Sequence, residues 1–390
     1  MPAPRPVVAT GQQIGAGWSP ALSVVKALAA LVEAERMGGE AVHWLADEDH
    51  DRLEVASVVG YEGPRLKRHR FHFDAPPGTA TGWLPWTEAH QREAASLWGE
   101  LPEARGTLRD HALALGAPLW SRGIRAFSPT NPAVRNGIQE ELERWRSLDL
   151  EKDLIAQAER LRLAGTPSPL DPSTQSAWFS LDPATGQRKR LEPGSKVPAG
   201  HWLSPGAALR PLMQSLLLPV AAVVLGPSER AYWRLAEPLW ERVGLEAPRI
   251  LARPSLIVLP KGARLAQSQL ESLKRGDWST FAKPSAARPS TKLPLLEADA
   301  AWGEALGHRF QAELARTKTR LEKLDRRLAR DAAAKVLGLD PEHLRQRLFP
   351  FGLDQERVIP GLFWLRDAVL LDRILDALRQ GGDLHLVEAP

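Results

Sequence analysis

The sequence predicts an α/β protein with a parallel-sheet core, and three observations carry this prediction. Residues 7–51 have the pattern of one strand-helix-strand unit. The sheet pattern resumes at residue 201, and the apolar run 216–225 then ends in a Gly-Pro turn. The region between these parts lacks a regular alternation of strands and helices, which indicates an insertion into one core.

The first strand and helix are marked by local signals. Residues 7–10 are a short apolar run that Gly11 interrupts, as in a buried parallel strand entering a tight turn. Ser19 is a favourable N-cap, and Pro20 suits the first helical position. Apolar residues then recur at helical spacing as far as Gly38. We therefore predict a helix that begins at Ser19-Pro20 and ends at Gly38.

The second strand ends in an unusual polar cluster. Residues 41–46 are apolar, and residues 47–51 read Asp-Glu-Asp-His-Asp. Ligands of open α/β sheets bind at the carboxyl ends of the strands. We therefore expect the loop 11–13 and the acidic cluster to lie side by side at one rim, where any chemistry would take place.

The predicted insertion spans about residues 61–200. Residues 65–73 alternate in character and are basic, which is typical of an edge strand. Residues 88–115 and 136–163 have helical patterns, and residues 173–198 are rich in turn residues with short strand-like runs.

The core pattern returns after this insertion. Residues 205–215 are predicted to be a helix, residues 216–225 a central strand and residues 249–255 the end of the next strand. Ser228 is the expected cap of the helix between the two strands. The residues expected at the same rim as Gln12 and His50 are Ser228, Glu229, Tyr232 and Arg253.

The chain divides into three predicted regions. The core occupies residues 1–265, apart from its insertion, and residues 266–348 form a linker and a helical, coiled-coil segment. Within the second region, residues 266–294 are polar, basic and interrupted by prolines, as in a linker. Residues 349–390 are predicted to return to the core through an apolar helix at 359–378.

A heptad-like seam follows the proline-free stretch 299–336. The apolar spacing places Phe310, Leu314, Thr317, Leu321, Leu324 and Leu328 on one helix face. We expect this seam to be buried, with part of it crossing between the subunits of a homodimer. Packing on the chain's own helices, such as the one at 359–378, is the alternative, because about three heptads are short for an independent coiled coil.

Composition excludes several classes of function. The 390 residues include no cysteine, so disulfides, zinc-cysteine sites and a cysteine nucleophile are impossible. No apolar run approaches the roughly 18 to 20 residues of a membrane span, and no signal-peptide pattern opens the chain. We therefore expect a cytoplasmic protein without a membrane partner. The net charge of +4 is modest for this length and does not predict a nucleic-acid partner.

Several short blocks together carry a family resemblance. In chain order they are Thr10-Gly11-Gln12-Gln13 with Gly15, Pro20 and Lys26; residues 44–51; Leu209-Arg210-Pro211 with Gln214; residues 226–233; and Gln355-Glu356-Arg357. This ordered set resembles the bacillithiol-biosynthesis cysteine-adding enzymes, the BshC cysteine ligases. The middle and the helical region look shorter than is usual in that family.

The resemblance implies a fold and an activity. The implied fold is a Rossmann-like core with connecting-peptide insertions and a dimerising helical coiled coil. The implied activity is the addition of L-cysteine to glucosaminyl-malate, the last step of bacillithiol synthesis. A free carboxylate is a poor electrophile, so we expect ATP, with Mg²⁺ as its possible companion ion, to activate the cysteine carboxyl as an acyl-adenylate or acyl-phosphate.

The acidic cluster supplies the candidate catalytic residues. We assign His50 as general base for the sugar amine, with Asp49 and Asp51 raising its pKa and orienting it. The alternative is that residues 48–51 only cap the strand end and the next helix. Asp and His side chains can bind metal ions, but we do not predict a dedicated metal site formed by these three residues.

The other candidate residues are assigned to substrate or nucleotide binding. Gly11 would let the backbone approach an anion at the N-terminus of the first helix, and Arg210 and Arg357 suit malate carboxylates, although structural ion pairs would explain either arginine equally well. The full set is Thr10, Gly11, Gln12, Gln13, Gly15, Ser19, Lys26, Arg210, Gln214, Gly226, Ser228, Glu229, Tyr232, Arg253, Gln355 and Arg357.

Two other functions remain open from the sequence. One is a different nucleotidyl-transferring or adenylate-forming enzyme on the same core. The other is a non-catalytic, basic helical adaptor. Convergence of Gln12, His50, Glu229 and Arg253 in the folded chain would favour an enzyme over the adaptor.

Overall fold

The computed structural model describes residues 5–62, 65–172, 176–281 and 303–390. The chain forms two compact units, the first comprising Met1–Val258 with Glu356–Pro390 and the second Leu259–Gln355. The predicted boundaries at residues 265 and 348 each lie seven residues from the observed ones.

The secondary structure alternates between strands and helices through most of the first unit. The strands are β1 (Val7–Gln12), β2 (Glu40–Leu45), β3 (Ser57–Glu62), β4 (Arg65–Arg70), β5 (Pro85–Trp86), β6 (Gly106–Thr107), β7 (Ile124–Phe127), β8 (Trp178–Leu181), β9 (Arg188–Arg190), β10 (Trp202–Pro205), β11 (Val220–Leu225), β12 (Arg249–Ala252), β13 (Ser255–Leu259) and β14 (Leu384–Glu388). The helices are α1 (Leu22–Met37), α2 (Arg52–Ala56), α3 (Glu88–Trp98), α4 (Leu108–Leu115), α5 (Ala117–Trp120), α6 (Pro132–Arg135), α7 (Gln139–Ser147), α8 (Leu150–Leu163), α9 (Arg210–Leu217), α10 (Pro227–Trp233), α11 (Leu239–Val243), α12 (Gln267–Arg275), α13 (Gly303–Leu337), α14 (Pro341–Leu348), α15 (Leu362–Leu365) and α16 (Ala368–Gln380).

The core of the first unit is a five-stranded parallel sheet in the order β12-β11-β1-β2-β7. Counted along the chain, this order is 5-4-1-2-3, so the chain leaves the central strand β1 first to one side and then to the other. Such a reversal defines a topological switch point, here between β1 and β11. The predicted parallel α/β core is confirmed.

The first helix begins later than its sequence signals indicate. The predicted cap, Ser19, lies outside α1, whose N-cap is Ala21 without a side-chain hydrogen bond. Ser19 therefore precedes the N-cap position, and its hydroxyl does not accept from the first free amides of the helix. Its predicted capping role is wrong. The predicted stop is confirmed, because Gly38 ends the helix in the left-handed conformation, at φ 62°.

The predicted insertion contains one strand of the core. β7 lies within residues 61–200, yet it pairs with β2 at the edge of the main sheet. Each of the two long helices predicted in this region is interrupted in the structure. Residues 88–115 contain α3 and α4, and residues 136–163 contain α7 and α8. Breaks occur where Gly99 and Asp149 take positive φ angles of 80° and 54°, which an α-helix cannot continue through.

The C-terminal segment returns to the core as predicted. α16 packs against α1, and its buried face includes Leu371 and Ile374, both with no exposed surface. Asp367 caps this helix by accepting from the Leu370 amide at 2.9 Å. The apolar spacing at 359–378 therefore indicated burial correctly, although the helix itself starts at Ala368.

The second unit contains the long helix α13, of 35 residues. α12 occupies part of the predicted linker, and residues 282–302 of that linker lie outside the described residues. On the predicted seam, Leu324 and Leu328 are 48% and 58% exposed, whereas Phe310, Leu314 and Leu321 are half-buried. Packing of the seam on the chain's own helices, such as the one at 359–378, stays the alternative. A coiled coil with a second copy stays a prediction.

We expect the double substitution Leu321→Glu with Leu324→Glu to convert a homodimer into a folded monomer, because charge on the seam opposes its burial between subunits. Sedimentation velocity at micromolar protein measures the change. Glu313→Gln, on an exposed part of the same helix, is the control. A wild-type chain that sediments as a monomer would contradict the dimer.

None of the helices in the described ranges combines the length and the hydropathy that spanning a bilayer requires.

Candidate active site

A cavity of about 460 Å³ lies at the carboxyl ends of β1 and β11, at the switch point of the sheet. This volume falls within the usual range of small-molecule sites. The predicted residues that line it are Gly11, Gln12, Gln13, Asp49, Arg210, Gln214, Gly226, Ser228, Glu229, Tyr232, Arg253 and Arg357. The structure thus collects side chains from several separate sequence blocks at one rim.

Gly11 allows β1 and β2 to approach each other beside the cavity. A Cβ at this position would lie 3.1 Å from both the Cβ and the carbonyl oxygen of Trp44, which is tighter than side chains normally pack. Trp44 lines the cavity and stacks on Phe127 with ring centroids 5.3 Å apart. The indole was not predicted as a site residue, although it shortly precedes the acidic cluster in sequence.

Lys26 ties the two sides of the switch point together beneath the cavity. Its fully buried ammonium donates to the Gly11 carbonyl, to Gln12 Oε1 at 3.2 Å and to Glu229 Oε1 at 2.6 Å. An ammonium has three donors, and all three are used. In this structure Lys26 positions residues that line the site, and its predicted contact with a ligand stays a prediction. Because Gln12 Oε1 accepts from Lys26, its NH₂ group remains as a donor.

Glu229 caps the helix that follows β11. Its Oε2 accepts from the Gly226 amide at 2.8 Å, and Gly226 is the N-cap of α10. Ser228 lies inside the helix and not at its cap, so the predicted capping role of Ser228 is wrong, although the residue lines the cavity. Burial, followed by the negative charge of Glu229, raises the pKa of Tyr232, so its phenol stays neutral and able to donate a hydrogen bond.

Two carboxylates of the acidic cluster support the site from below. Asp47 and Glu48 are fully buried. Asp47 lies 2.7 Å from Arg109 and accepts from Ser128 at 2.6 Å. Glu48 accepts from Arg135 at 2.9 Å. Burial alone would raise the pKa of Glu48, but Arg135 and other cations outweigh it and lower the value.

The arginine partners of these carboxylates were not predicted. Arg109 and Arg135 come from α4 and α6, both within the predicted insertion. No local pattern distinguishes them from the many other arginines of the chain. Only the fold shows that Arg135 pairs with Glu48, which lies 87 positions earlier in the sequence.

Asp49 lies at the cavity wall and is held there by Arg210. Its Oδ2 accepts from Arg210 at 2.6 Å, and its Oδ1 accepts from the His50 amide at 2.7 Å. Burial alone would raise the pKa of Asp49, but the charge and hydrogen bond of Arg210 hold it well below its usual range. Asp49 is therefore a fixed negative charge. For Arg210, the alternative of a structural ion pair is confirmed, and its guanidinium still lines the cavity.

His50 is not among the residues that line the cavity, although its Nδ1 lies 3.7 Å from Asp49 Oδ1. Its Nδ1 lies 3.0 Å from the Arg188 guanidinium, which also stacks over Phe179 at 3.8 Å. Arginine only donates, so Nδ1 accepts and a neutral imidazole carries its proton on Nε2. Burial and the charge of Arg188 lower the pKa of His50. The predicted upward shift of its pKa is wrong, because burial, followed by the charge of Arg188, outweighs the neighbouring aspartates. The catalytic role of His50 stays a prediction.

Asp51 caps the short helix α2. Its Oδ1 accepts from the Leu53 amide at 3.0 Å and the Glu54 amide at 3.1 Å. The carboxylate thus satisfies helix amides and does not orient the imidazole, so the alternative of a structural cap is confirmed for this residue. Among the described residues, no group of three His, Asp or Glu side chains is arranged to hold a metal ion.

Four other predicted contacts are structural. Thr10 donates its hydroxyl to the Val224 carbonyl at 3.0 Å and so joins β1 to β11. A Cβ on Gly15 would lie 2.4 Å from the Ser19 carbonyl oxygen, so a tight turn requires glycine there. Ser19 has a buried hydroxyl outside the cavity wall. Gln355 belongs to the second unit, where it donates to the Arg347 carbonyl at 3.0 Å. None of these four residues lines this cavity, and their predicted ligand contacts stay predictions.

The N-terminus of α1 offers less to an anion than predicted. The Ala21 amide donates to the Ile359 carbonyl at 2.8 Å, and the amides of Ser23 and Val24 donate to preceding carbonyls at 3.1 Å and 2.9 Å. Most amides of this first turn are therefore already bonded. Leu22 is the residue of the turn that reaches the cavity wall.

Arginines form the opposite wall. Arg253 NH1 donates to Glu356 at 2.6 Å, and both side chains are only 2% exposed. This pair fixes Arg253 in place at the end of β12. Arg357, the next residue after its partner, is exposed and lines the same cavity. The two positions give the cavity a cationic side suited to carboxylates or phosphates.

Glu54 also lines the cavity and was not predicted. A signal for it exists in the sequence, because Asp51 followed by glutamate three residues later is a helix-start pattern. That pattern places Glu54 in the first turn of a helix directly after the acidic cluster. The sequence alone does not show that the turn borders the cavity.

Comparisons with known proteins agree with this architecture. Residues 197–254, which include α9, β11 and α10, match the family model described as "Bacillithiol biosynthesis BshC, N-terminal Rossmann-like domain". Two proteins from different strains of Thermus thermophilus are each called "Putative cysteine ligase BshC" and are 30% identical to this chain over 96% of its length and 86% of theirs. A protein of the same name from Solibacter usitatus is 27% identical over 88% of this chain and 78% of its own.

Among solved structures, tyrosyl-tRNA synthetase of Leishmania major in complex with tyrosinol aligns with a TM-score of 0.31 and 14% identity. The alignment covers 74% of this chain and 35% of the synthetase. A likeness this low carries no argument about the fold or function of this chain.

Proposed function

The chain belongs to the BshC family of cysteine ligases, and from this premise we propose that it joins L-cysteine to glucosaminyl-malate in the last step of bacillithiol biosynthesis. The relatives' names indicate a ligase. The observation that supports this assignment best is the cavity at the switch point, where blocks from residues 11–13, 49, 210–214, 226–232, 253 and 357 meet. Their convergence disfavours a non-catalytic adaptor.

The cavity carries the charges that such substrates require. Arg253 and Arg357 form a cationic wall for the malate carboxylates or for phosphate. Gln12 presents amide donors from the end of β1, and Tyr232 presents a neutral phenol from α10. Asp49 and Glu229 supply fixed negative charge, which suits the ammonium of cysteine or of the sugar.

ATP is the co-substrate that we assign to the activation of the cysteine carboxyl. An amine displaces an oxygen from a carboxyl carbon only when that oxygen belongs to a good leaving group. Activation of the carboxyl as an acyl-phosphate or acyl-adenylate provides one. The cavity volume of about 460 Å³ suits a nucleotide or the coupled substrates in turn. The chain's own contribution is to hold the two reacting groups in contact and to manage their protons.

We expect the purified chain to form a cysteinyl-glucosaminyl-malate product from L-cysteine, glucosaminyl-malate and ATP with magnesium. The reason is the combination of family membership with the convergent cavity. Mass spectrometry of the thiol product, with ATP consumption followed in parallel, measures it. Leaving out each component in turn is the control. A folded protein that forms no product with any nucleoside triphosphate would contradict the assignment.

A further inference from the structure

Three carboxylates line the cavity, and two of them are already engaged. Asp49 is held by Arg210 at 2.6 Å. Glu229 is held by the Lys26 ammonium at 2.6 Å and by the Gly226 amide at 2.8 Å. A carboxylate paired in this way binds a further proton poorly, because the proton would displace a favourable charge contact. Asp49, whose pKa Arg210 holds well below its usual range, is therefore poorly suited to accept a proton during a reaction, and the Glu229 carboxylate is occupied on both oxygens.

Glu54 differs from both in its surroundings. Within the described parts of the chain its carboxylate makes no salt bridge, and the side chain is exposed to solvent at the cavity wall. Its backbone is nevertheless fixed, because the Glu54 amide donates to the Asp51 cap at 3.1 Å. Glu54 is thus a free carboxylate on a short, anchored helix, in contact with both the cavity and water.

The charges that face Glu54 are mostly negative. Asp51 caps its own helix, Asp49 extends from the end of β2 and Glu229 extends from α10, while Lys26 of α1 partly offsets them. Partial desolvation on the cavity side of this otherwise exposed residue, followed by the charges of Asp51, Asp49 and Glu229, raises the pKa of Glu54 to about 6. A general base works best when its pKa lies near the working pH.

His50 is less well placed for the same task. Its Nδ1 is occupied by Arg188 at 3.0 Å, and the imidazole is absent from the cavity wall. Its lowered pKa makes it a weaker proton acceptor than an ordinary histidine.

We propose that Glu54 is the general base that takes the proton from the amine of the acceptor substrate as the amide bond forms. This inference rests on the proposed function. The neutral amine nitrogen forms a bond to the activated carbonyl carbon, and the bond from that carbon to the phosphate or adenylate oxygen breaks with its electron pair on the leaving oxygen. The nitrogen's proton passes to the Glu54 carboxylate and then to water.

The direction of the pH dependence follows from the raised pKa. Glu54 is a carboxylate, and so competent as a base, above about pH 6, and it is protonated and inactive below this value. The ratio kcat/KM should therefore fall as the pH decreases through about 6. The titration of the substrate amine is common to every variant and cancels when their profiles are compared.

The test compares Glu54→Gln with wild type by product formation between about pH 5 and 8. We expect kcat/KM near neutral pH to fall by about 10²- to 10⁴-fold, and the limb near pH 6 to disappear. Glu54→Asp should restore the limb at a reduced rate, because the carboxylate returns one methylene short. Glu88→Gln, which removes an exposed carboxylate elsewhere in the first unit, should keep the wild-type profile.

The outcomes separate this inference from the proposed function. A folded Glu54→Gln that keeps the limb near pH 6, while wild type forms product, overturns the role of Glu54 and leaves the ligase assignment standing. If the limb is lost in His50→Ala and kept in Glu54→Gln, His50 is the base. Absence of product from wild type overturns the function and this inference together. Circular dichroism of each variant confirms that it is folded.

Discussion

An Arg135→Ala variant is expected to lose about 3–5 kcal/mol in free energy of unfolding, as is typical when one partner of a buried ion pair is removed. Arg135 donates to Glu48 at 2.9 Å and to the Leu203 carbonyl at 3.0 Å, and both charged side chains are fully buried. Without the guanidinium, Glu48 keeps a charge in a place that water does not reach. Urea denaturation followed by circular dichroism measures the loss.

Two further variants test the cause of this destabilisation. Arg125→Ala removes a partner from a half-exposed ion pair with Glu40, so we expect a change of about 1 kcal/mol or less. Combining Arg135→Met with Glu48→Gln removes both charges of the pair and should recover part of the lost stability, because neither partner is left buried without the other. If Arg135→Ala costs no more than Arg125→Ala, the buried pair does not support the site.

Asp49→Asn is expected to reduce turnover by about 10²-fold, the scale of a small misplacement of reacting groups. The substitution keeps the shape of the side chain but removes the charge that holds Arg210 at 2.6 Å. Arg210 then turns towards Glu48, which lies 3.7 Å away, and the cavity wall changes. Because Glu48 still compensates the guanidinium, we expect the thermal midpoint to change little.

The measurement is the steady-state rate of product formation alongside a thermal melt. Asp372→Asn, which breaks an exposed pair with Arg122, is the matched control and should leave both values unchanged. A normal rate in Asp49→Asn would show that this carboxylate only completes the strand end. A sharply lower melting temperature would show that its role is structural.

Local signals predicted much of the main sheet. β1 and β2 follow from apolar runs that end at Gly11 and at the acidic cluster, and the end of α1 follows from Gly38. The start of α1 was misplaced at Ser19, because a favourable cap type does not require that the helix use it. β7 was hidden in a predicted insertion, since a strand of four residues has too short a pattern to stand out.

The sequence predicted which residues belong to the candidate site more completely than it predicted the role of each residue. Its lining residues mostly lie where strand ends and helix starts meet, which a sequence pattern can show. Their partners lie far along the chain, and these partners decide what each side chain does. Lys26 was predicted to bind a ligand, but Glu229, 203 positions later, takes one of its donors. His50 was predicted to have a raised pKa, but burial, followed by the charge of Arg188, 138 positions later, lowers it.

The sequence by itself determined the parallel α/β core, the rim on which its polar residues gather and the resemblance to the cysteine ligases, because periodicity, turn residues and short ordered motifs are local properties. Only the tertiary structure decided which of those polar residues face the cavity and which support it. Charge compensation between buried groups depends on distances across the fold, so Asp47 and Glu48 pair with arginines beneath the cavity, and Glu54, which makes no salt bridge within the described residues, is the candidate base.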